Sequence, residues 1–143
     1  MSSRDEAYSL LSWRKEHEKI EGHVVSAERA VASGSIESAS SAMDELAEAL
    51  EDHLSVEERA YLPMVEEQSL RGTEFSASVR LAHAGLRESL EQLRELVELA
   101  RWPEAGRSFA LFSERFRAHE AQEQAFAEEV MRVDPDQGRR TFA

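Results

Sequence analysis

Apolar residues recur every three or four positions in four long stretches of the chain, the spacing of one face of an α-helix. The first seam runs through Leu10, Trp13, His17, Ile20, Val24, Ala27 and Val31, and the second through Ala39, Met43, Leu46, Leu50, His53, Glu57 and Tyr61. The third takes Val79, His83, Leu86, Leu90, Leu93, Val97 and Ala100, and the fourth Phe109, Phe112, Phe116, His119, Glu123, Phe126 and Val130. These patterns predict helices over 5–33, 36–68, 74–101 and 103–133. Gly34 is expected to close the first helix with Ser35 capping the second. Gly72 would close the second, Thr73 cap the third, Pro103 fit the first turn of the fourth, and Pro135 end it. Pro63 lies inside the second helix and is expected to kink or break it. No strand-like alternation interrupts the pattern, so the expected fold is all-α, an antiparallel four-helix bundle running up, down, up, down.

The seams are apolar except where histidine and glutamate enter them. His53 and Glu57 are four residues apart, as are His119 and Glu123, so each pair shares a helix face at about 5–6 Å between Cβ atoms. His17 and His83 lie on the other two seams. An unpaired carboxylate on a buried face costs several kcal/mol, and a cation between the helices would compensate. In an antiparallel pair, residues equidistant from the turn are level. The midpoint of His17 and His53 is Ser35, that of His83 and His119 is Arg101, and that of Glu57 and His83 is Leu70, each in or beside an expected turn. Three turns thus place all six side chains at one level of the bundle. A lone histidine on an apolar face is more often a hydrogen-bonded core residue. Six such groups converging on one level point to metal instead.

Length and composition narrow the chemistry. The 143 residues suit one domain, here a bundle over 1–133 followed by a polar tail over 134–143. A chain of this size buries a core without structural metal or disulfides. Cysteine is absent, which removes thiolate ligands and iron–sulfur clusters and fits a reducing cytoplasm. The start of the chain lacks the pattern of a signal peptide, and no apolar run would span a bilayer, so membrane attachment is not expected. A net charge of −12, without clustered Lys and Arg, argues against nucleic acid as a partner. Protein partners are not legible in it.

Around the six candidates, other residues take simpler roles. His23 is six residues from His17, about 240° around the helix, and falls off the seam, so His17 is preferred as the ligand and His23 is read as a surface residue. Glu58 and Glu120 adjoin candidate ligands but point elsewhere, as solvated charges or as outer acceptors for a ligand imidazole N–H. Tyr61 lies one turn beyond Glu57 on the same face and is read first as a core tyrosine, with a hydroxyl reaching the site as the alternative. Nitrogen and carboxylate donors suit iron, manganese or zinc and disfavour copper(I). Six protein ligands are too many for one open metal but suit two, with the carboxylates between them. The Glu-x-x-His spacing of ferritin-type di-iron bundles is missing, because no histidine here has Glu three residues before it.

The order His17, His53-x-x-x-Glu57, His83, His119-x-x-x-Glu123 resembles the hemerythrin-like, or HHE cation-binding, domain. The segment Trp13-Arg-Lys-Glu-His17-Glu-Lys-Ile20, and His53-x-x-x-Glu57-Glu58 followed by Leu62-Pro63, carry the same likeness. The resemblance covers nearly the whole chain and implies a four-helix bundle around two non-haem, oxo- or hydroxo-bridged iron ions. By that likeness His17 and His53 serve one iron, His83 and His119 the other, and Glu57 and Glu123 bridge. Oxygen-carrying members have five histidines at the metals, two of them four residues apart on the third helix. Here Val79 and Arg87 stand at that spacing from His83, and Gln124 stands where carriers have Asp. This departure favours reaction with oxygen, peroxide or nitric oxide, or iron sensing, over reversible carriage.

The leading expectation is therefore a soluble di-iron protein whose partner is a small oxidant. Catalase-like breakdown of peroxide is compatible with it but not required. A non-enzymatic module responsive to iron or oxygen, and a zinc- or manganese-bound bundle without redox chemistry, are the alternatives. A metal-free bundle with satisfied histidines is the remaining case.

Overall fold

The computed structural model describes residues 10–133, with side chains for 13–129. Helix α1 (Leu10–Ser33) is followed by α2 (Ile36–Val56), a π-helical segment (Glu57–Tyr61), the short α3 (Leu62–Glu66), α4 (Leu70–Glu98) and α5 (Trp102–Val133). There is no strand among the described residues. With α2, the π segment and α3 forming one continuous arm, the four arms pack as a ring: α1 on α2, α2 on α4, α4 on α5, and α5 back on α1. The expected all-α bundle is what forms. The predicted start at residue 5 and the tail over 134–143 lie outside the described residues, as do the side chains of Leu10 and Val130.

The seams become the core because each helix has one apolar face and the ring closes over all four. One cluster, from Ile20, Val24 and Ala27 through Leu46 and Leu50 to Leu93 and Phe112, fills the bundle towards the α1–α2 turn. A second, smaller one gathers Tyr61, Leu62, Val65, Phe75 and Val79, with Phe126 against it and stacked on Phe75 at 3.9 Å. On the third arm His83 falls between Val79 of the second cluster and Leu86 of the first, on the fourth His119 and Glu123 fall between Phe116 and Phe126, and all six seam His and Glu residues are buried. No helix is long and apolar enough to cross a membrane among the described residues.

The ends of the helices differ in part from expectation. Ser35 caps α2 through the Ser38 amide at 3.3 Å, and Gly34 takes φ +71°, as expected. The third arm, however, begins at Leu70, not at residue 74. Ser69 is its cap, accepting from the Gly72 amide at 3.0 Å, and Thr73 only adds a hydrogen bond to the Ser69 carbonyl. Gly72 does not end a helix but sits in the first turn of α4, pressed against the arm it follows. A Cβ there would lie 2.1 Å from the Val65 carbonyl oxygen. Arm three stops at Glu98, and Ala100, expected in the seam, is exposed at φ +54°. It closes a Schellman turn, with Arg101 N–H donating to the Leu96 carbonyl at 3.0 Å and Ala100 N–H to Val97 at 2.9 Å. The fourth arm begins at Trp102, one residue early, with Pro103 in its first turn.

Pro63 neither breaks the second arm nor ends it. A proline ring collides with the carbonyl four residues earlier in an α-helix. Here the chain widens ahead of it into the π segment, where Leu62 N–H donates to the Glu57 carbonyl, and helix resumes through Leu62–Glu66.

Two substitutions test these ends. Gly72→Ala should lose about 1–3 kcal/mol in urea unfolding, the usual range for forcing volume into a packed contact. Ala100→Gly should gain about 0.5–1 kcal/mol and raise the melting temperature, because glycine takes positive φ without the Cβ penalty.

Candidate metal centre

Each arm delivers its ligands by helical spacing, and closing the ring brings them together. Two groups form: His17, His53, Glu57 and Glu123; and Glu57, His83, His119 and Glu123. Within each, one donor atom per residue lies within 4.8 Å of all the others. All six residues singled out in the sequence are present, and both glutamates belong to both groups. His23 is half-buried and in neither.

Glu57 faces both ways. Its Oε2 is 3.2 Å from His53 Nε2 and 3.9 Å from His17 Nε2, while its Oε1 is 3.0 Å from His83 Nε2. Glu123 Oε1 lies 3.6 Å from His17 Nε2 and 3.4 Å from His119 Nε2. The imidazoles pair edge-on, His17 with His53 at 4.6 Å between centroids and His83 with His119 at 4.9 Å. Within the first pair the two Nε2 atoms are 2.8 Å apart, one donating to the other. Trp13 packs on the His17 ring at 3.9 Å.

The polar inventory shows what the centre lacks. Both oxygens of Glu57 and of Glu123, and Nε2 of His83 and His119, are buried without a hydrogen-bond partner. Buried polar groups are normally paired, so six unmatched donor atoms aimed at one place fit cations held between them. Nitrogen and carboxylate are also the donor set that divalent first-row metals accept.

Electrostatics carries the same strain. Burial, and then the neighbouring Glu57 charge, push Glu123 well above the usual carboxylate range. Burial would raise Glu57 too, but the adjacent His53 and His83 rings outweigh it and hold Glu57 well below. Burial pulls His53 down, yet the carboxylates of Glu16 and Glu57 beside it win and lift it to about 9. Burial, followed by the facing imidazole, lowers His17 to about 3 and His119 to about 4. Tyr61 is pushed up by burial and by the Glu123 and Glu57 charges, which places its phenol near both carboxylates.

Outside the six, carboxylates reach the far nitrogens of three rings. Glu58 accepts from His83 Nδ1 at 2.7 Å, and Glu120 lies 3.3 Å from His17 Nδ1. Those two were candidates from the sequence. Glu16, on His53 Nδ1 at 2.8 Å, was not. It sits beside His17 in the chain yet serves a ring on the next helix, so no spacing within its own helix could reveal it. The Nδ1 of His119 is buried without a partner.

Among curated proteins and among solved structures nothing matches the chain. Against protein families the outcome is different. The Hemerythrin HHE cation binding domain matches residues 10–128, the span that carries all six buried His and Glu residues. The chain belongs to the hemerythrin HHE cation-binding family, and its bundle holds a metal ion site.

Proposed function

We propose that the centre holds two non-haem iron ions and binds or reacts with a small oxidant: oxygen, peroxide or nitric oxide. His17 and His53 would hold one ion, His83 and His119 the other, and Glu57 and Glu123 would be shared. The observation that carries this is the split reach of Glu57, one oxygen 3.2 Å from His53 and the other 3.0 Å from His83. Two irons side by side supply paired one-electron steps to a small molecule between them.

The chain's own residues supply the rest. Trp13 packs on the His17 ring, and all six ligand side chains are buried, which limits water at the centre. Lowered dielectric there strengthens each carboxylate–cation attraction. Glu123, pushed well above the usual carboxylate range, and His53, lifted to about 9, are the groups of the site that favour their protonated forms. The absence of cysteine suits a reducing compartment such as the cytoplasm.

Metal analysis and the optical spectrum of protein purified in air test this reading. About two irons per chain, with a near-ultraviolet oxo-bridge band, are expected for two sites sharing bridges. One zinc ion and no colour would sink the redox reading. Glu57→Ala should abolish binding of both ions and His53→Ala of at least one, with His23→Ala unchanged. Oxygen evolution on adding peroxide would identify turnover.

Uptake should also depend on pH in a defined direction. His53, lifted to about 9, carries a proton at neutrality that a cation must displace, and Glu123, pushed well above its usual range, holds its proton to higher pH than an ordinary carboxylate. His17 at about 3 and His119 at about 4 are already neutral there and add no slope. Binding at pH 7 should therefore release at least the His53 proton, strengthen as pH rises towards 9, and weaken as it falls. Calorimetry in buffers of different ionisation enthalpy reads the proton count.

A further inference from the structure

We propose that Arg87 is a positioning residue for the metal centre, acting through Glu58 on His83. Its bearing on metal rests on the two-ion reading above, but its effect on the His83 ring does not. Arg87 lies one helical turn after His83 on α4, yet it turns outward. Its Nη1 donates to Glu58 Oε2 at 2.9 Å and its Nη2 to Glu58 Oε1 at 3.2 Å. Its other edge is held in turn by Glu51, with Nε to Oε1 at 2.8 Å and Nη2 to Oε2 at 3.0 Å. The guanidinium is thus gripped by two carboxylates of the second arm, in the paired geometry that a flat fork of donors favours.

The consequence falls on His83. An ionised carboxylate only accepts, so Glu58 at 2.7 Å fixes the ring proton on Nδ1. Nε2 is then the nitrogen directed into the centre, 3.0 Å from Glu57 Oε1. His83 is wholly buried and cannot borrow water for that proton. The other rings lack this control. Glu16 has a side chain 42% exposed, and among the described residues neither Glu16 nor Glu120 is paired with an arginine or lysine. His119 Nδ1 has no acceptor at all. Of the four rings, His83 alone has its outer carboxylate clamped by arginine.

The test uses the full chain. In metal-free protein labelled with nitrogen-15, two-bond nitrogen–proton couplings report the tautomer of each histidine. Wild type should show His83 with a proton held on Nδ1. Arg87→Gln should convert it to a mixture, with Arg87→Lys restoring part of the preference. In zinc titration, Arg87→Gln should weaken one position about 10–100-fold and leave the other unchanged, the range seen when an outer partner of a ligand is lost. Glu51→Gln, which leaves Glu58 in place, should shift both readouts the same way but less, and it serves if Arg87→Gln does not fold. An unchanged His83 tautomer in both variants overturns the proposal. So does equal weakening of both positions alongside a matching loss of thermal stability, because that is a packing defect. If wild type binds fewer than two zinc ions, the two-ion reading falls, while the tautomer result still decides the role of Arg87.

Discussion

Two carboxylates facing each other inside a helix bundle set the terms for everything around them. Glu57 and Glu123 are 0% and 1% exposed, and no arginine or lysine reaches either among the described residues. Both cannot stay ionised in such a place without positive charge close by. Burial and the Glu57 charge push Glu123 towards its protonated form, and Glu16 and Glu57 lift His53 to about 9. The same geometry accepts the exchange of protons for cations. A bundle that only needed a core would have leucine at these positions. Their cost is sensible only if a ligand returns it.

That cost also explains how much of the molecule the sequence discloses. Helix period and level arithmetic are both local rules, and they were enough to bring His17, His53, Glu57, His83, His119 and Glu123 to one place. The same rules fail where a residue's role is decided by another arm. Glu16 is half-buried and follows no seam, and its value lies in a ring across the α1–α2 interface. Gly72 reads as a terminator because glycine usually is one, but its reason is the Val65 backbone passing too close for a Cβ. Ser69 and Thr73 are equally good caps by type, and only that packing selects the earlier one. Ala100 gives no signal, since alanine seldom adopts positive φ.

The arms of the bundle also divide labour around the centre. Glu57 sits at the junction of α2 and the π segment, while its neighbour Glu58 points to the opposite side of the His83 ring. Adjacent glutamates therefore approach the two nitrogens of one imidazole, Glu57 at Nε2 and Glu58 at Nδ1. Departures from α-helical winding are common where side chains must be re-aimed for function.

The π segment carries a consequence for the whole second arm. On an α-helix, residues five apart differ by about 140° in direction. Glu57 and Leu62 are five apart, and both are fully buried. The widened turn has absorbed one residue's worth of rotation, so the arm is written in two frames that meet at the metal level. His53 and Glu57 obey the first, and Leu62 and Val65 obey the second. Winding residues 57–61 as plain α-helix, with no residue removed, would leave the ligands where they are but swing the far end of the arm around its axis by about 100°. Leu62 and Val65 would leave the core, and the Val65 carbonyl would leave the notch that Gly72 keeps open for it.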